Sequence, residues 1–232
     1  MPTYFLDRKD AGKRLADALS SYKDKGNTVV LALPRGGVPV ASEVARALHL
    51  PLDLMLVRKL GVPGQEELAM GAIAHGDVQV LNEDVVRHLA IPESVVQKAV
   101  ASEKKELLRR NKAYRGGLPA PNLKHCTVIL VDDGIATGAN MRAAVQTARK
   151  QRAKRIVVAA PVSSGAAYDL LSGVADEVVS LHMPEPFYGV GDAYGDFGQT
   201  QDDEVKELLS KAESECQDGH SKEVGEGACE SA

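Results

Sequence analysis

Two adjacent carboxylates end an apolar stretch at residues 128–140, which read VILVDDGIATGAN. The apolar run has the composition of a strand buried on both faces, as in a parallel sheet. Asp132 and Asp133 follow it and could accept hydrogen bonds from the vicinal hydroxyls of a ribose. The small residues up to Gly138 precede a helix and would expose backbone N–H groups, which favours a bound phosphate. The stretch therefore predicts a cradle for a ribose 5-phosphate; the alternative is a strand end with a capping Asp and turn glycines.

Two more polar, glycine-bearing loops follow segments that the pattern predicts to be strands. The run TVVLAL at residues 28–33 is followed by PRGG, and LDLMLV at residues 52–57 is followed by RKLGVPG. The carboxyl ends of parallel strands share one edge of a sheet, and ligands bind at that edge. Arg35, Arg58 and Lys59 are therefore predicted to lie near the two carboxylates. The alternative is that they are solvated basic residues of a turn and a strand end.

The order of apolar segments predicts an α/β fold with an open, mainly parallel sheet flanked by helices. Further strands are predicted at residues 127–131, 155–162 and 177–183, and helical patterns separate them. The segments ELAMGAIAHG and DVQVLN predict an antiparallel hairpin that turns at Gly76 and Asp77.

Length and composition favour one globular domain, which we place at residues 1–210. A short helix, DDEVKELLSKA, is predicted from residue 202, and residues 211–232 have the composition of a disordered acidic tail. The formal net charge of −4 argues against a surface that binds nucleic acid throughout. No apolar segment approaches the roughly 18 residues of a membrane span and no secretory leader is evident, so we expect a cytoplasmic protein without a membrane partner. The Cys and His residues lack the spacing of a zinc site.

Residues 128–140 resemble the 5-phosphoribosyl 1-diphosphate (PRPP) binding signature of type I phosphoribosyltransferases: a hydrophobic strand, two acids, two or three small or apolar residues, then Thr-Gly. Residues 33–37, LPRGG, resemble the diphosphate loop of that family, a tight turn that often has a cis peptide. Residues 57–73 resemble the segment with a second basic diphosphate contact and a flexible lid. Together with residues 185–200, they look like a little-characterised group of predicted phosphoribosyltransferases. The resemblance covers roughly residues 5–210.

The resemblance implies an enzyme that displaces diphosphate from C1 of PRPP with a nitrogen nucleophile, usually with Mg²⁺. By this likeness Asp132 and Asp133 would hold the 2- and 3-hydroxyls of the ribose. The residues that would wrap the 5-phosphate are Gly134, Ile135, Ala136, Thr137 and Gly138. Mg²⁺ would be bound mainly by PRPP oxygens and waters near the two carboxylates, because Mg²⁺ takes few protein ligands.

On the diphosphate side, the resemblance implies a loop of backbone donors and two basic positions. Arg35, Gly36 and Gly37 would bind the diphosphate, and Arg58 or Lys59 would neutralise it from the second loop. A transition state with oxocarbenium character needs support for the leaving charge and for the ribose geometry. The catalytic residues implied are thus Arg58, Lys59, Asp132 and Asp133.

One position, Ala136, limits the chemical class of the nitrogen acceptor, and the remaining residues do not identify it. Ala136 stands where relatives that use 6-oxopurines commonly have an acid, which disfavours hypoxanthine and guanine but leaves adenine-like, orotate-like and unusual acceptors. The family builds a hood over the acceptor, here near residues 1–8 and 184–200. Its candidate acceptor-binding aromatics are Phe187, Tyr188, Tyr194 and Phe197, and its candidate bases are Glu185, Asp192 and Asp196. The alternative is a loop whose aromatic residues pack on the core.

Three functional hypotheses follow, of which a PRPP-dependent transferase is preferred. The second is a PRPP-sensing regulator of the same fold, since fold does not separate catalysis from binding. A metal-dependent phosphoester hydrolase ranks last, because clustered metal ligands are missing from the sequence. The basic helix predicted at residues 92–115 is expected to be a solvated face; the alternative is a dimer contact or a contact for an anionic partner such as RNA. The resemblance also implies a homodimer.

Overall fold

Strands and helices alternate along the chain in the computed structural model, which describes residues 4–74 and 78–223. The first half contains α1 (Arg8–Ala18), β1 (Thr28–Ala32), α2 (Gly37–Leu48), β2 (Leu52–Leu54), β3 (Val57–Val62), β4 (Gln65–Ala74), β5 (Val78–Leu81), α3 (Glu83–His88) and α4 (Glu93–Arg115). The second half contains β6 (Thr127–Val131), α5 (Ala139–Lys150), β7 (Arg155–Val162), α6 (Gly165–Ser172), β8 (Glu177–His182) and α7 (Asp202–Glu223). Short 3₁₀ helices lie at Ser20–Tyr22 and Val190–Ala193.

Five strands form one parallel sheet in the order β2-β1-β6-β7-β8, which confirms the predicted fold class. Strand β6 is the middle strand, and Leu130 pairs with Leu31 on one side and Val158 on the other. Alternate residues of a strand point to opposite faces. Leu130 accordingly packs in the cluster that contains α5 and α6, whereas Ile129 packs in the cluster that contains α1 and α2. Burial on both faces explains the unbroken apolar run.

A separate antiparallel sheet has the order β3-β4-β5 and confirms the predicted hairpin as the pair β4 and β5. The predicted turn at Gly76 and Asp77 lies outside the described residues. The prediction for residues 52–57 and the loop after them is wrong: β2 ends at Leu54, and RKLGV belongs to β3. The reason is that β4 satisfies the backbone of this segment, while Leu60 and Val62 alternate into the core.

The helix boundaries follow local capping signals. The carboxylate of Asp7 caps the start of α1, where it accepts a hydrogen bond from Asp10 N. Helix α4 ends at Gly116, whose φ of 61° is the left-handed conformation that glycine adopts readily. The short helix α3 was not predicted, although Asn82 caps it through Val85 N.

Helix α7 is longer than the sequence predicts. Disorder is expected from residue 211, whereas the helix continues to Glu223. Its later turns are rich in helix-forming charged residues, and Lys211 lies 4.0 Å from Glu215, one turn onward. The part of the predicted tail at residues 224–232 lies outside the described residues. Within the described ranges, no helix combines the length and the apolar character that a membrane crossing requires.

The central position of β6 generates a stability prediction. Leu130→Ala removes a side chain with no exposed surface and should lower the free energy of unfolding by ~2–5 kcal/mol through lost burial and a residual cavity. Leu108→Ala is the matched control, since Leu108 of α4 is 52% exposed, and should change it by less than ~0.5 kcal/mol. Urea denaturation of both variants measures the difference. Equal losses would contradict the placement of β6 at the centre of the core.

Candidate functional site

A cleft of about 390 Å³ opens at the carboxyl edge of the parallel sheet. Its floor and walls come from four places in the chain: the end of β1, the segment from β2 into β3, one face of α4, and the loop between β6 and α5. The polar or charged residues that line it are Arg58, Lys59, Arg110, Asp132, Thr137 and Asn140. The cleft therefore lies at the edge where a parallel sheet is expected to bind ligands.

Four of the predicted site residues meet in this cleft. Arg58 and Lys59 enter from β3, and Asp132 and Thr137 enter from the loop after β6. The sequence predicts this meeting from strand-end positions, and the structure brings these four together even though the basic pair lies on a strand of the second sheet. Positive charge thus lies opposite a carboxylate and a hydroxyl.

Asp132 is the carboxylate that lines the cleft. Its Oδ1 accepts a hydrogen bond from Asp133 N at 2.9 Å, which fixes the side chain at the strand end. Burial is the main reason that the pKa of Asp132 lies well above its usual range, and the neighbouring Asp133 charge raises the pKa further. The Arg8 charge acts in the opposite direction with a smaller effect. A ligand that donates hydrogen bonds or carries a cation would favour the ionised form of Asp132.

Asp133 faces away from this lining and binds Arg8. Arg8 Nε lies 2.8 Å from Asp133 Oδ2, with only 12% and 14% of the two side chains exposed. Arg8 also donates to the carbonyl oxygen of Gly198 at 2.6 Å, and its guanidinium lies 3.9 Å from the ring centre of Phe197. The second predicted ribose carboxylate is therefore engaged in an ion pair. Arg8 was missed because its partner lies 125 residues away in the chain.

The PRGG loop packs directly on the two carboxylates. The peptide bond between Pro34 and Arg35 is cis, as the resemblance implies for this turn. A Cβ atom on Gly36 would overlap Asp133 Oδ2 and lie 2.6 Å from its Cγ. A Cβ atom on Gly37 would lie 2.8 Å from the carbonyl oxygen of Val131. Both glycines are thus required by close approach of the loop to the end of β6.

The side chain of Arg35 leads away from the cleft lining to α7. Arg35 Nη1 lies 3.4 Å from Asp202 Oδ1, and the Tyr114 hydroxyl donates to the same oxygen at 2.8 Å. The Tyr114 hydrogen bond is the main cause that lowers the pKa of Asp202, with a smaller contribution from Arg35. In this structure the side chain of Arg35 therefore pairs with the first residue of α7, and its contact with diphosphate stays a prediction.

The predicted phosphate loop, residues 134–138, is anchored at its centre and open at its far end. Ile135 is buried and its N–H donates to the carbonyl oxygen of Val162 at 2.9 Å. Ser164 Oγ donates to the carbonyl oxygen of Ala136 at 2.6 Å. Ala136 and Thr137 are exposed, and Gly138, with φ at 75°, leads into α5 as predicted. Ala136 and Thr137 thus face solvent just before the N-terminus of α5.

The four predicted acceptor aromatics lie in different surroundings. Tyr194 is buried and donates to the carbonyl oxygen of Asp133, while its ring stacks on Phe197 at 5.0 Å. Burial is the main cause that raises the pKa of Tyr194. Phe187 packs with Phe5 and Tyr194 in a small apolar cluster. Tyr188 is 66% exposed, and none of these four described side chains lines the cleft. Phe187 and Tyr194 thus pack against apolar residues, as expected in the alternative of a loop whose aromatic residues pack on the core.

The two segments predicted to form a hood are joined to each other. Tyr4 N and Phe5 N donate to the carbonyl oxygen of Ala193 at 3.0 and 2.9 Å, and Gly195 N donates back to Phe5 at 2.8 Å. Across the described part of the chain, no group of three or more His, Cys, Asp or Glu side chains is placed to hold a metal ion. A cation in the cleft would thus depend on ligand oxygens in addition to Asp132.

Comparisons with known proteins place the chain in a family. The family model for the phosphoribosyl transferase domain matches residues 5–194. The chain belongs to the phosphoribosyl transferase family. Among solved structures of this fold, TT1426 from Thermus thermophilus is 42% identical with a TM-score of 0.83, over 89% of this chain and 98% of that one.

Curated members of the phosphoribosyl transferase family include two proteins of Mycobacterium tuberculosis, "Putative phosphoribosyl transferase Rv0571c" and "Putative phosphoribosyl transferase MT0597". Each is 47% identical over 208 residues, which is 90% of this chain and 47% of the relative. The chain therefore spans about half the length of the curated relatives it matches.

The contact between Gly36 and Asp133 generates a second prediction. Gly36→Ala should lower the free energy of unfolding by ~1–3 kcal/mol, because the added methyl group overlaps the Asp133 carboxylate. Gly26→Ala is the control, since nothing lies within 4 Å of a Cβ at that position. Thermal and urea denaturation of both variants test the contact. A Gly36→Ala protein as stable as the Gly26→Ala protein would contradict it.

The raised pKa of Asp132 predicts a pH-dependent stability difference. The stability linked to its proton is complete below the ordinary Asp pKa and is lost as the pH rises through the raised pKa of the folded protein. The Asn side chain of Asp132→Asn does not titrate in this range. The free energy of unfolding of the variant, relative to that of the unsubstituted protein, should therefore increase as the pH rises from about 4 to about 7. Urea denaturation across this range measures the gain. A difference that stays constant with pH would count against the burial of this charge.

Proposed function

We propose that this protein is a PRPP-dependent phosphoribosyltransferase that moves ribose 5-phosphate to a nitrogen acceptor and releases diphosphate. The observation that carries the proposal is the meeting of Arg58, Lys59, Asp132 and Thr137 in one cleft at the carboxyl edge of the sheet. Such a cleft offers separate partners for the phosphate, hydroxyl and diphosphate parts of PRPP. Membership of the phosphoribosyl transferase family supports the same assignment.

Different residues of the cleft would bind different parts of PRPP. The exposed end of the phosphate loop, with the Thr137 hydroxyl, would bind the 5-phosphate. Asp132 would accept hydrogen bonds from the ribose hydroxyls, while Asp133 would support it through the Arg8 ion pair. Arg58 and Lys59 would stabilise the negative charge that develops on the leaving diphosphate as the C1–O bond lengthens. The acceptor nitrogen then forms the new bond at C1.

The donor set of the cleft also fits Mg²⁺. Mg²⁺ is commonly held by one or two carboxylates together with substrate phosphate oxygens and waters. Asp132 is the carboxylate in the lining and would hold the ion with the oxygens of PRPP. When bound, the ion supplies charge neutralisation to the diphosphate leaving group.

The acceptor belongs to a class other than the 6-oxopurines. Ala136 is exposed in the loop and supplies no carboxylate to such a base. The apolar residues Met55, Leu56 and Val57 also line the cleft, beside Arg58 and Lys59, and would contribute apolar contacts to a bound ligand. A PRPP-sensing regulator with the same site would bind PRPP but would not consume it with any acceptor.

The test is a calorimetric titration with PRPP and Mg²⁺ alongside a diphosphate-release screen over nucleobases and small amines. We expect binding and acceptor-dependent release. Asp132→Asn should weaken PRPP binding by about tenfold or more, since hydrogen bonds to charged groups contribute ~1.5–3 kcal/mol. Asp169→Asn, on the exposed surface of α6, is the matched control.

The outcomes separate the two hypotheses. Binding without release for every acceptor would favour the regulator. Absence of PRPP binding would contradict both. Asp132→Asn is a cleaner test than a change at Asp133, because removal of Asp133 also breaks the buried pair with Arg8.

A further inference from the structure

Helix α4 supplies a cation to the cleft that the sequence assigned to a solvated face. Arg110 lines the cleft together with Leu107, which lies three residues earlier on the same face of the helix. Its side chain is 26% exposed, so it is mostly covered by its surroundings. The basic residues of α4 therefore do not form one uniform surface: at least one of them belongs to the site.

Two acidic residues of α4 form ion pairs with two of the basic side chains that line the cleft, Arg58 and Arg110. Glu103 Oε2 lies 2.6 Å from Arg58 Nε, and Glu106 Oε1 lies 2.8 Å from Arg110 Nε. Glu103 and Glu106 are three residues apart and hence on the same side of the helix. The wall that α4 contributes is thus built as two carboxylate–guanidinium pairs, one that reaches β3 and one within the helix.

The bond between Arg110 and Glu106 leaves Arg110 able to bind a ligand. Glu106 accepts from Nε, and a guanidinium carries four further N–H donors on its terminal nitrogens. These donors suit an anion with several oxygens, because guanidinium groups bind phosphates in a bidentate manner. Glu106 also accepts two hydrogen bonds from Arg109, at 2.7 and 2.9 Å, and these two arginines lower its pKa to about 2. Glu106 therefore stays ionised near neutral pH.

The charges of the lining indicate where such an anion would lie. Arg58, Lys59 and Arg110 are cationic, and Asp132 is the carboxylate of the lining. The phosphate loop with Thr137 belongs to the β6 side of the cleft, whereas Arg58, Lys59 and Arg110 belong to the β3 and α4 side. A ligand that spans the cleft would place a second anionic group beside these three cations.

We propose that Arg110 is a third binding residue for the diphosphate group of PRPP, acting beside Arg58 and Lys59 from the wall formed by α4. The inference rests on the proposed function, since it assigns the ligand to the same cleft. It also accounts for Arg35, whose side chain is bound to Asp202. The guanidinium of Arg110 would make the diphosphate contact that the resemblance implied for the side chain of Arg35.

The chain offers a matched pair of arginines for the test. Arg109 and Arg110 are adjacent and both bind Glu106, but Arg109 is 57% exposed and is not part of the cleft lining. Arg110→Gln and Arg109→Gln thus remove the same charge from the same helix. Calorimetry with Mg²⁺ would measure the dissociation constants of inorganic diphosphate, ribose 5-phosphate and PRPP for each protein.

We expect Arg110→Gln to weaken binding of diphosphate and PRPP by about tenfold or more, and binding of ribose 5-phosphate by less than about twofold. Arg109→Gln should stay within about twofold of the unsubstituted protein for all three ligands. Arg110→Lys keeps the charge without the planar fork and should show an intermediate loss. This variant gives a second reading if Arg110→Gln reduces thermal stability.

The failure of this inference can be told apart from failure of the proposed function. Equal diphosphate affinities for Arg110→Gln and Arg109→Gln, in a protein that binds PRPP, would overturn the role of Arg110 and leave the transferase proposal in place. Arg110-dependent binding of inorganic diphosphate by a protein that does not bind PRPP would show an anion site at Arg110, but would overturn both its role toward PRPP and the transferase proposal. Binding of neither ligand would overturn both.

Discussion

The ion pair between Arg8 and Asp133 is the interaction on which the geometry of the site depends. It joins the first residue of α1 to the end of the central strand, and Gly36 packs against the same carboxylate. Both side chains are largely buried, so removal of either partner would leave an uncompensated charge at a cost of ~3–5 kcal/mol. The pair also fixes the carboxyl edge of β6, because Tyr194 donates to the Asp133 carbonyl oxygen. The two adjacent acids thus take different roles, one structural and one directed to the ligand.

With Asp133 committed to this pair, the residues that line the cleft include three cations and one carboxylate. Asp132 is the carboxylate in the lining, opposite Arg58, Lys59 and Arg110. The positive side chains are oriented before any ligand binds, since Glu103 and Glu106 hold two of them from α4. Oriented charges stabilise a developing anion without reorganisation during the reaction. Helix α4 would thus contribute to the proposed reaction by orienting the cations that face the diphosphate.

Local sequence patterns were sufficient to predict the strands of the parallel sheet and the β4–β5 hairpin, because each of these elements depends on residues close together in the chain. The pairs Arg8–Asp133 and Arg35–Asp202 could not be predicted, since they join residues 125 and 167 positions apart. Strand β3 was missed because its sequence, VRKLGV, has two adjacent basic residues and a glycine in place of a regular alternation, and its partner strand decides the conformation. The place of Arg110 likewise depends on the packing of α4, which periodicity alone does not give.

The most direct test of the central claim is a crystal structure of the protein with PRPP and Mg²⁺ bound. The account predicts the 5-phosphate beside Thr137, a ribose hydroxyl on Asp132, the diphosphate between β3 and α4, and Asp133 still paired with Arg8. PRPP in the smaller cavity of about 250 Å³ beside Arg8 and Lys9 would contradict the account. So would a complex in which Asp133 leaves Arg8 to bind the ribose in place of Asp132.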